Sequence, residues 1–437
     1  MDSNAAGKLD DRLAKCIRCG FCLDACPTFR LTGKETYSPR GRIYLTRSWR
    51  ENAIELDADV IDALDTCLGC RACETACPSG VEYGAILEEA RAAIEESGLR
   101  PSGQSFARRE LIETLTSPTR LRIALKAGRA MRSFTGGRVP GVLTRLLTGG
   151  SSAGIGLPEL DASQIAPPLP ELTPSIGTRE YRVGIVQGCV MRVMFAGANS
   201  ATARVLQRNG CDVLAPKSAA CCGALHLHTG LQREARVRAR RLIAAFESIL
   251  PDLDAIVVNS AGCGSALKEY RQLFENEPAW RDRAARFASK VRDISEWLHH
   301  TGIRPPTGGV KGVVAVHDAC HLVHGQRIRS EPREMLRAIP GISMVELEES
   351  DTCCGSAGTY NMLQPMMASE LLARKMKFIR EGGATVIAAG NPGCLAWIEQ
   401  GAVTQGLDLT LKHPVELLDE AYRNGETGDG SGSRHIV

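Results

Sequence analysis

Cys16, Cys19, Cys22 and Cys26 lie in CIRCGFCLDACPT, and Cys67, Cys70, Cys73 and Cys77 lie in CLGCRACETACPS. Each run reads C-x2-C-x2-C-x3-C-P, the spacing that holds a [4Fe–4S] cubane. Three thiolates on a tight loop reach three irons of one cube. The x3 step carries the fourth onto a helix pointing away, so that last cysteine ligates the other cluster. The predicted assignment is therefore crossed: Cys16, Cys19, Cys22 and Cys77 for the first cluster, Cys67, Cys70, Cys73 and Cys26 for the second. Zinc also takes paired CxxC ligands, but it gives no reason for two proline-terminated runs of identical spacing.

A second set of thiols follows. KSAACCGALHLH (Lys217–His228) and ESDTCCGSAGTYN (Glu349–Asn361) share a Cys-Cys-Gly core. Cys189 precedes Cys221 by 32 residues and Cys320 precedes Cys353 by 33; Cys263 follows Cys222 by 41 and Cys394 follows Cys354 by 40. Equivalent cysteines are always 131 or 132 residues apart, which marks an internal duplication. Neighbours in a strand point to opposite faces. On a turn permitted by Gly223 or Gly355, both sulfurs can face one site. The expected quartets are Cys189, Cys221, Cys222 and Cys263 in the first half, and Cys320, Cys353, Cys354 and Cys394 in the second. Cys211 is left over and reads as a small buried core thiol. His226, His228, His317, His321 and His324 stand beside these cysteines. They can bind metal, carry protons or simply hydrogen-bond to sulfur, and for any one of them a structural role is the commoner case.

Helices and strands must position these groups. In SPRGRIYLTRSW, Ser38 reads as an N-cap with Pro39 at the first helical position. DADVIDALDTC and EYGAILEEARAAIEESG carry apolar residues at helical spacing, the second ending at Gly98. Arg40 and Arg42 either bring positive charge near a cluster or form a solvated basic helix start. From 101 to 148 the chain reads as helical, with nine Lys/Arg (Arg108, Arg109, Arg120, Arg122, Lys126, Arg129, Arg132, Arg138, Arg145) against Glu110 and Glu113. That run is a solvated face or a docking surface for an acidic partner or anionic lipid. Five prolines and five glycines between Gly149 and Gly177 predict an extended linker. Beyond it, YRVGIVQG, CDVLAP and DAIVVNS, then GVVAVHD, MVELE and TVIAAGN, read as strands alternating with helices such as LQREARVRARRLIAAFESIL and PMMASELLARKMKFIREGG. That alternation implies mostly parallel sheets with the thiols at their carboxyl edge.

The fold class expected is α+β and multidomain: an all-helical two-cluster module over residues 1–100, a basic helical segment 101–148, a linker 149–179, and two tandem α/β halves, 180–305 and 306–437. Seventeen cysteines in a chain without a secretory pattern point to metal or redox chemistry in a reducing cytoplasm rather than a disulfide framework. A net charge of +3 argues against nucleic-acid binding, and no apolar run is long enough for a spanning helix. No G-x-G-x-x-G fingerprint is present, and GSSAG at Gly150–Gly154 follows no strand, so neither a dinucleotide site nor a nucleophile elbow is expected.

The duplicated thiol pattern resembles the cysteine-rich CCG domain of heterodisulfide reductase subunits, whose full motif ends in CxxC and can hold a noncubane iron–sulfur cluster. Here Ser260 and Asn391 stand where that motif has its first terminal cysteine. An iron–sulfur cluster, a redox-active thiol pair, and a zinc or purely structural site all remain open for these halves. A helical two-cluster ferredoxin followed by two CCG halves is similar to the iron–sulfur subunit family of glycolate oxidase (glycolate dehydrogenase). SPRGRIYL, VHDACHLVHGQ, ESDTCCGSAGTYN, NPGCLAWI and HPVELLDEAY carry the resemblance. It implies two [4Fe–4S] clusters on this chain, FAD on partner subunits, and a quinone or other membrane acceptor. The subunit would be peripheral on the cytoplasmic face of the inner membrane, inert as a catalyst alone, in a complex converting glycolate to glyoxylate. The alternatives are a similar subunit for D-lactate or glycerol 3-phosphate, and a stand-alone CCG-type disulfide reductase.

Overall fold

Ser38 Oγ accepts the Gly41 amide at 2.9 Å and Pro39 opens the helix Pro39–Arg50, so the predicted cap forms as written. In a computed structural model of the chain, residues 3–135 and 167–426 are described, with side chains from 8 to 127 and from 167 to 426. The linker from 149 to 166 and the side chains of Arg129, Arg132, Arg138 and Arg145 lie outside the described residues.

The N-terminal module is helical: Ser3–Ala14, Pro27–Thr32, Pro39–Arg50, Ala58–Asp65, Ala72–Thr75 and Tyr83–Ser97. Tyr83, Ile86, Leu87, Ala90 and Ile94 form one buried face of the last helix, at the spacing an amphipathic helix requires. They pack with Leu9, Leu13, Ile43, Val60 and Leu64 around Cys67 and Cys73. Ser102–Thr116 and Pro118–Thr135 follow as the basic helices. These two helices are not simply a solvated face. Arg109 pairs with Glu234 at 2.7 Å, Arg120 with Glu110 at 3.1 Å, and Arg108 lies 3.5 Å from Asp65.

Among the described residues, nine strands build two sheets. The first contains β1 (Leu172–Thr173), β2 (Tyr181–Val186), β3 (Cys211–Leu214), β4 (Ala255–Val258) and β5 (Val291–Asp293), in the order β1-β3-β2-β4-β5. The second contains β6 (Val313–Val316), β7 (Ser343–Val345), β8 (Val386–Ala388) and β9 (Thr410–Lys412), in the order β7-β6-β8-β9. Within each sheet β2 to β5 and β6 to β9 are parallel and follow the same order, the duplication expressed as topology. Only β1 is antiparallel, pairing Leu172 with Leu214. The stretch expected as a plain linker thus contributes an edge strand to the first sheet, where its Pro-rich flanks do no harm to the ladder.

The halves share a core. Helix Ala196–Arg208, which follows β2, packs on helix Pro414–Glu426, which follows β9. Helix Ile294–Thr301, after β5, packs on Glu331–Arg337, after β6. First helix on last helix, twice, is the relation a pseudo-two-fold axis imposes. Val205, Leu206, Trp297, Leu336, Val415 and Leu418 form the seam. The helical module is pinned to both halves: Arg71 pairs with Glu269, Tyr360 Oη donates to the Thr66 carbonyl at 3.0 Å, and Glu349 joins Arg30 to Arg374.

Candidate metal centres

Both CxxCxxC loops adopt the same unusual backbone. Arg18 and Gly20 flank Cys19 with φ of 59° and 89°, and Gly69 and Arg71 flank Cys70 with 64° and 65°. Left-handed residues on both sides of the middle cysteine wind the loop tightly enough for three sulfurs to face one point. At Arg71 the strain falls on a non-glycine residue, and its guanidinium is fixed by Glu74 at 3.0 Å and by Glu269.

Cys16, Cys19, Cys22 and Cys77 line one hollow, and Cys26, Cys67, Cys70 and Cys73 line a second, with Cys73 bordering both. Each group of four gathers three cysteines from one loop and the last cysteine of the other. A cubane asks for that donor set, so the residues fit the group. The two hollows differ in exposure. Cys19 is exposed and its three companions are half-buried, whereas Cys26, Cys67, Cys70 and Cys73 are all buried. One local expectation fails. Cys26 does sit at the start of a helix, Pro27–Thr32, but Cys77 lies in a turn, with Gly80 at φ 63° and the next helix beginning only at Tyr83. The Val81 amide approaches Cys77 Sγ at 3.5 Å, so the backbone still supplies a donor to that sulfur.

Positive charge is buried beside the inner group. Arg42 is 1% exposed; its Nε donates to the Ala63 carbonyl at 2.6 Å, Nη2 to Thr28 Oγ1 at 3.0 Å, and Nη1 lies 3.9 Å from Cys26 Sγ. Burial alone would raise the Cys67 thiol, but Arg42, Arg91 and the Gly69 amide bring it below its ordinary value. Arg40, held to Glu35 at 2.8 Å and donating to the Arg18 carbonyl at 3.3 Å, borders the outer hollow instead. The residues missed in the sequence include Arg91 and Tyr83. Arg91 donates to the Cys67 carbonyl at 2.6 Å and the His228 carbonyl at 2.8 Å, and Tyr83 Oη lies 3.5 Å from Cys67 Sγ. Both occupy the apolar face of their helix, which was the available signal.

Each Cys-Cys-Gly lies on a turn, as expected. Gly223 and Gly355 have φ of 81° and 93°. A Cβ there would stand 3.0 Å from the Ala235 carbonyl oxygen or 2.7 Å from that of Ala368, so each turn is pressed against the next long helix. In the first half Cys221 Sγ is 3.5 Å from Cys189 Sγ and Cys222 Sγ is 3.2 Å from Cys263 Sγ. In the second, Cys354 Sγ and Cys394 Sγ lie within 4.8 Å of each other, and Cys320 and Cys353 pack in one buried cluster beside them. All eight line one cavity of about 260 Å³ between the helical module and the two halves, roofed by Leu121, Met191, Phe195 and Trp397. The cavity opens at the carboxyl ends of both sheets, where parallel α/β folds place their sites. Cys263 and Cys394 lie in the first turns of helices Ala261–Lys268 and Pro392–Gln405. At the degenerate positions, Asn391 Nδ2 donates to Cys394 Sγ at 3.5 Å while its Oδ1 accepts the Gly262 amide at 3.2 Å. Asn391 therefore bridges the halves.

The histidines separate. His226 Nε2 is 3.1 Å from Glu113, His228 Nδ1 is 2.8 Å from Glu88, and His324 Nδ1 is 2.9 Å from Thr75 Oγ1. These three tie the halves to other helices. His321 stacks on His228 with ring centroids 5.0 Å apart and lines the cavity. His317 instead faces Cys354 and Cys394, the ligand atoms of all three lying within 4.8 Å of one another. Cys211 is fully buried in β3, the core thiol expected, and burial pushes it up to about 11. No helix among the described residues is long and apolar enough to cross a membrane.

The chain matches the family model of the 4Fe-4S dicluster domain over residues 12–81 and that of the cysteine-rich domain twice, over 183–268 and 314–399. It is 39% identical to the probable glycolate oxidase iron-sulfur subunit of Bacillus subtilis (strain 168), across 94% of each chain. It is 31% identical to the glycolate oxidase iron-sulfur subunit of Escherichia coli (strain K12), across 96% of this chain and 97% of that one. Lactate utilization protein A of Oceanobacillus iheyensis is 29% identical over 56% of this chain and 98% of its own length.

Proposed function

The chain belongs to the family of glycolate oxidase iron–sulfur subunits, and from that premise we propose that it passes electrons singly from an FAD-bearing partner, which converts glycolate to glyoxylate, toward a quinone-type acceptor at the cytoplasmic face of the inner membrane. Taking a hydride from a 2-hydroxy acid needs a two-electron carrier, whereas iron–sulfur centres take one electron, so the chain serves a partner's chemistry. Cys16, Cys19, Cys22 and Cys77 hold the first [4Fe–4S] cluster; Cys26, Cys67, Cys70 and Cys73 hold the second. A further iron–sulfur centre belongs to the thiol quartets.

The continuity of the thiol sites carries this reading. The outer group reaches the surface beside Ile17 and Phe21, which are 67% and 68% exposed, an apolar rim suited to a protein partner. The inner group lies behind it, and Cys70 packs in one apolar cluster with Cys320 and Cys353 at the cavity. The lactate-named relative supports a second reading, in which the partner's substrate is lactate.

The test is made on the chain purified anaerobically from its native host with whatever accompanies it. Glycolate is expected to bleach the visible iron–sulfur absorbance. Bleaching by D-lactate or glycerol 3-phosphate but not glycolate would keep the relay and change the substrate. No bleaching by any of the three, with partners present, would overturn the relay and favour the disulfide reductase.

A further inference from the structure

The two halves repeat one another closely, yet they differ at the end of their central strand. β2 ends at Val186. β6 ends at Val316 and is followed by His317, which stands in the register position of Val186. That imidazole is 1% exposed, and neither Nδ1 nor Nε2 has a nitrogen or oxygen partner. The other buried histidines of the described chain, His226, His324 and His413, each hold at least one such partner. A buried polar group without a partner is rare in a folded protein and calls for a reason.

The surroundings of His317 supply one. Its ring nitrogens face Cys354 and Cys394, and the three donor atoms are mutually within 4.8 Å, close enough to share one ion. Thiolates with imidazole are donors that suit iron and zinc. On the opposite side, Asn391 occupies the place of the missing cysteine, and its amide is spent on Cys394 and Gly262. The motif has lost one donor at its helix end and holds another at its strand end.

We propose that His317 is a metal ligand of the second half, joining Cys320, Cys353, Cys354 and Cys394 around an iron–sulfur centre. This rests on the reading that the second quartet holds such a centre. Neutral imidazole in place of thiolate leaves the centre less negative and so easier to reduce, as histidine ligation does in other clusters. The first half, with Ser260 at the same motif position and the apolar Val186 in the register position of His317, has no counterpart. The two quartets are therefore chemically unequal, and the second is the better electron sink.

The experiment uses the full chain purified anaerobically with its partners. Iron is counted per chain, and the reduced protein is examined by pulsed EPR after growth with natural or nitrogen-15-labelled histidine. The expected result is more iron than two cubanes contain, with a nitrogen coupling that changes on labelling. In His317→Ala that coupling disappears while both cubane signals persist, which also reports that the chain has folded. In His317→Cys the iron is retained, the coupling is gone, and the midpoint potential of that centre falls. Extra iron without any histidine coupling in the wild type, or a coupling that survives in His317→Ala, would overturn the ligand role and leave the cluster reading standing. Iron equal to two cubanes alone would overturn both.

Discussion

Two positions apart on one helix, Arg40 and Arg42 serve different sites: Arg40 lines the outer hollow with Cys16, Cys19 and Cys22, and Arg42 lies against Cys26. Two residues advance about 200° around a helix, so one of such a pair must turn inward when the other turns out. Arg42→Met strips the donor from the Ala63 carbonyl and the Thr28 hydroxyl, at a cost of about 1–3 kcal/mol. It also removes the positive charge beside Cys26, so the second cluster's midpoint potential should fall while Arg40→Met leaves it unmoved. An EPR-monitored redox titration reads this, and equal potentials in wild type and Arg42→Met would contradict it. A different titration acts on folding. Burial lowers His413 to about 4, so the unfolded chain binds the extra proton below the ordinary histidine value and stability falls with pH from about 6.5 to about 4. The shift corresponds to roughly 3 kcal/mol. Asp293, raised by burial to about 6, works in the opposite sense over an overlapping range. The unfolding temperature of His413→Asn should therefore drop less than that of the wild type between about pH 7 and about pH 5; parallel curves would count against the assignment. The gathering of the eight N-terminal cysteines into two groups of four was legible from their spacing. His317 was named with four other histidines, but what sets it apart was not legible, because its unpartnered nitrogens and its facing sulfurs come from a strand end, a turn and a helix that only the fold brings together.

Elements were legible where they were long enough to show a period. The helices Tyr83–Ser97, Gln232–Glu247 and Pro365–Glu381 and the strands β2, β3, β4, β6, β7 and β8 stand where apolar spacing placed them. β5, as Val-Arg-Asp, and β9, as Thr-Leu-Lys, were missed, since each has a single apolar residue where the equally short β7 and β8 carry two and three. β1 hid in a proline-rich stretch whose strand character comes entirely from its partner β3. The turn after Cys77 escaped because a proline after a cysteine fits a helix start and a turn equally well. The Cys-Cys-Gly turn was readable down to its glycine. Gly355→Ala places a methyl group 2.7 Å from the Ala368 carbonyl at a φ that alanine avoids. It should destabilise the second half by more than about 1 kcal/mol and reduce metal retention there. Thermal unfolding and iron content check this together; a variant matching wild type in both would mean that the turn can relax.

At the scale of the molecule, one duplication makes two sheets whose carboxyl ends face a single cavity, and the helical module closes it from above. The order of helix pairing across the shared core keeps the halves fixed, so eight thiols from six strand ends meet without a linker between them. The sequence repeat predicted two thiol quartets, but their convergence follows from the pseudo-two-fold packing, which spacing cannot express. The inner cluster site stands between the exposed outer site and this cavity, the only arrangement in which losing it would interrupt a relay rather than trim it. Cys73→Ser in the anaerobic complex tests that position most directly, with glycolate as donor and both the cluster EPR signals and acceptor reduction as readouts. The predicted result is loss of the second cluster's signal, reduction of the first cluster by glycolate, and abolished transfer to the acceptor. Full acceptor reduction, with or without an intact second-cluster signal, would contradict the relay through this chain.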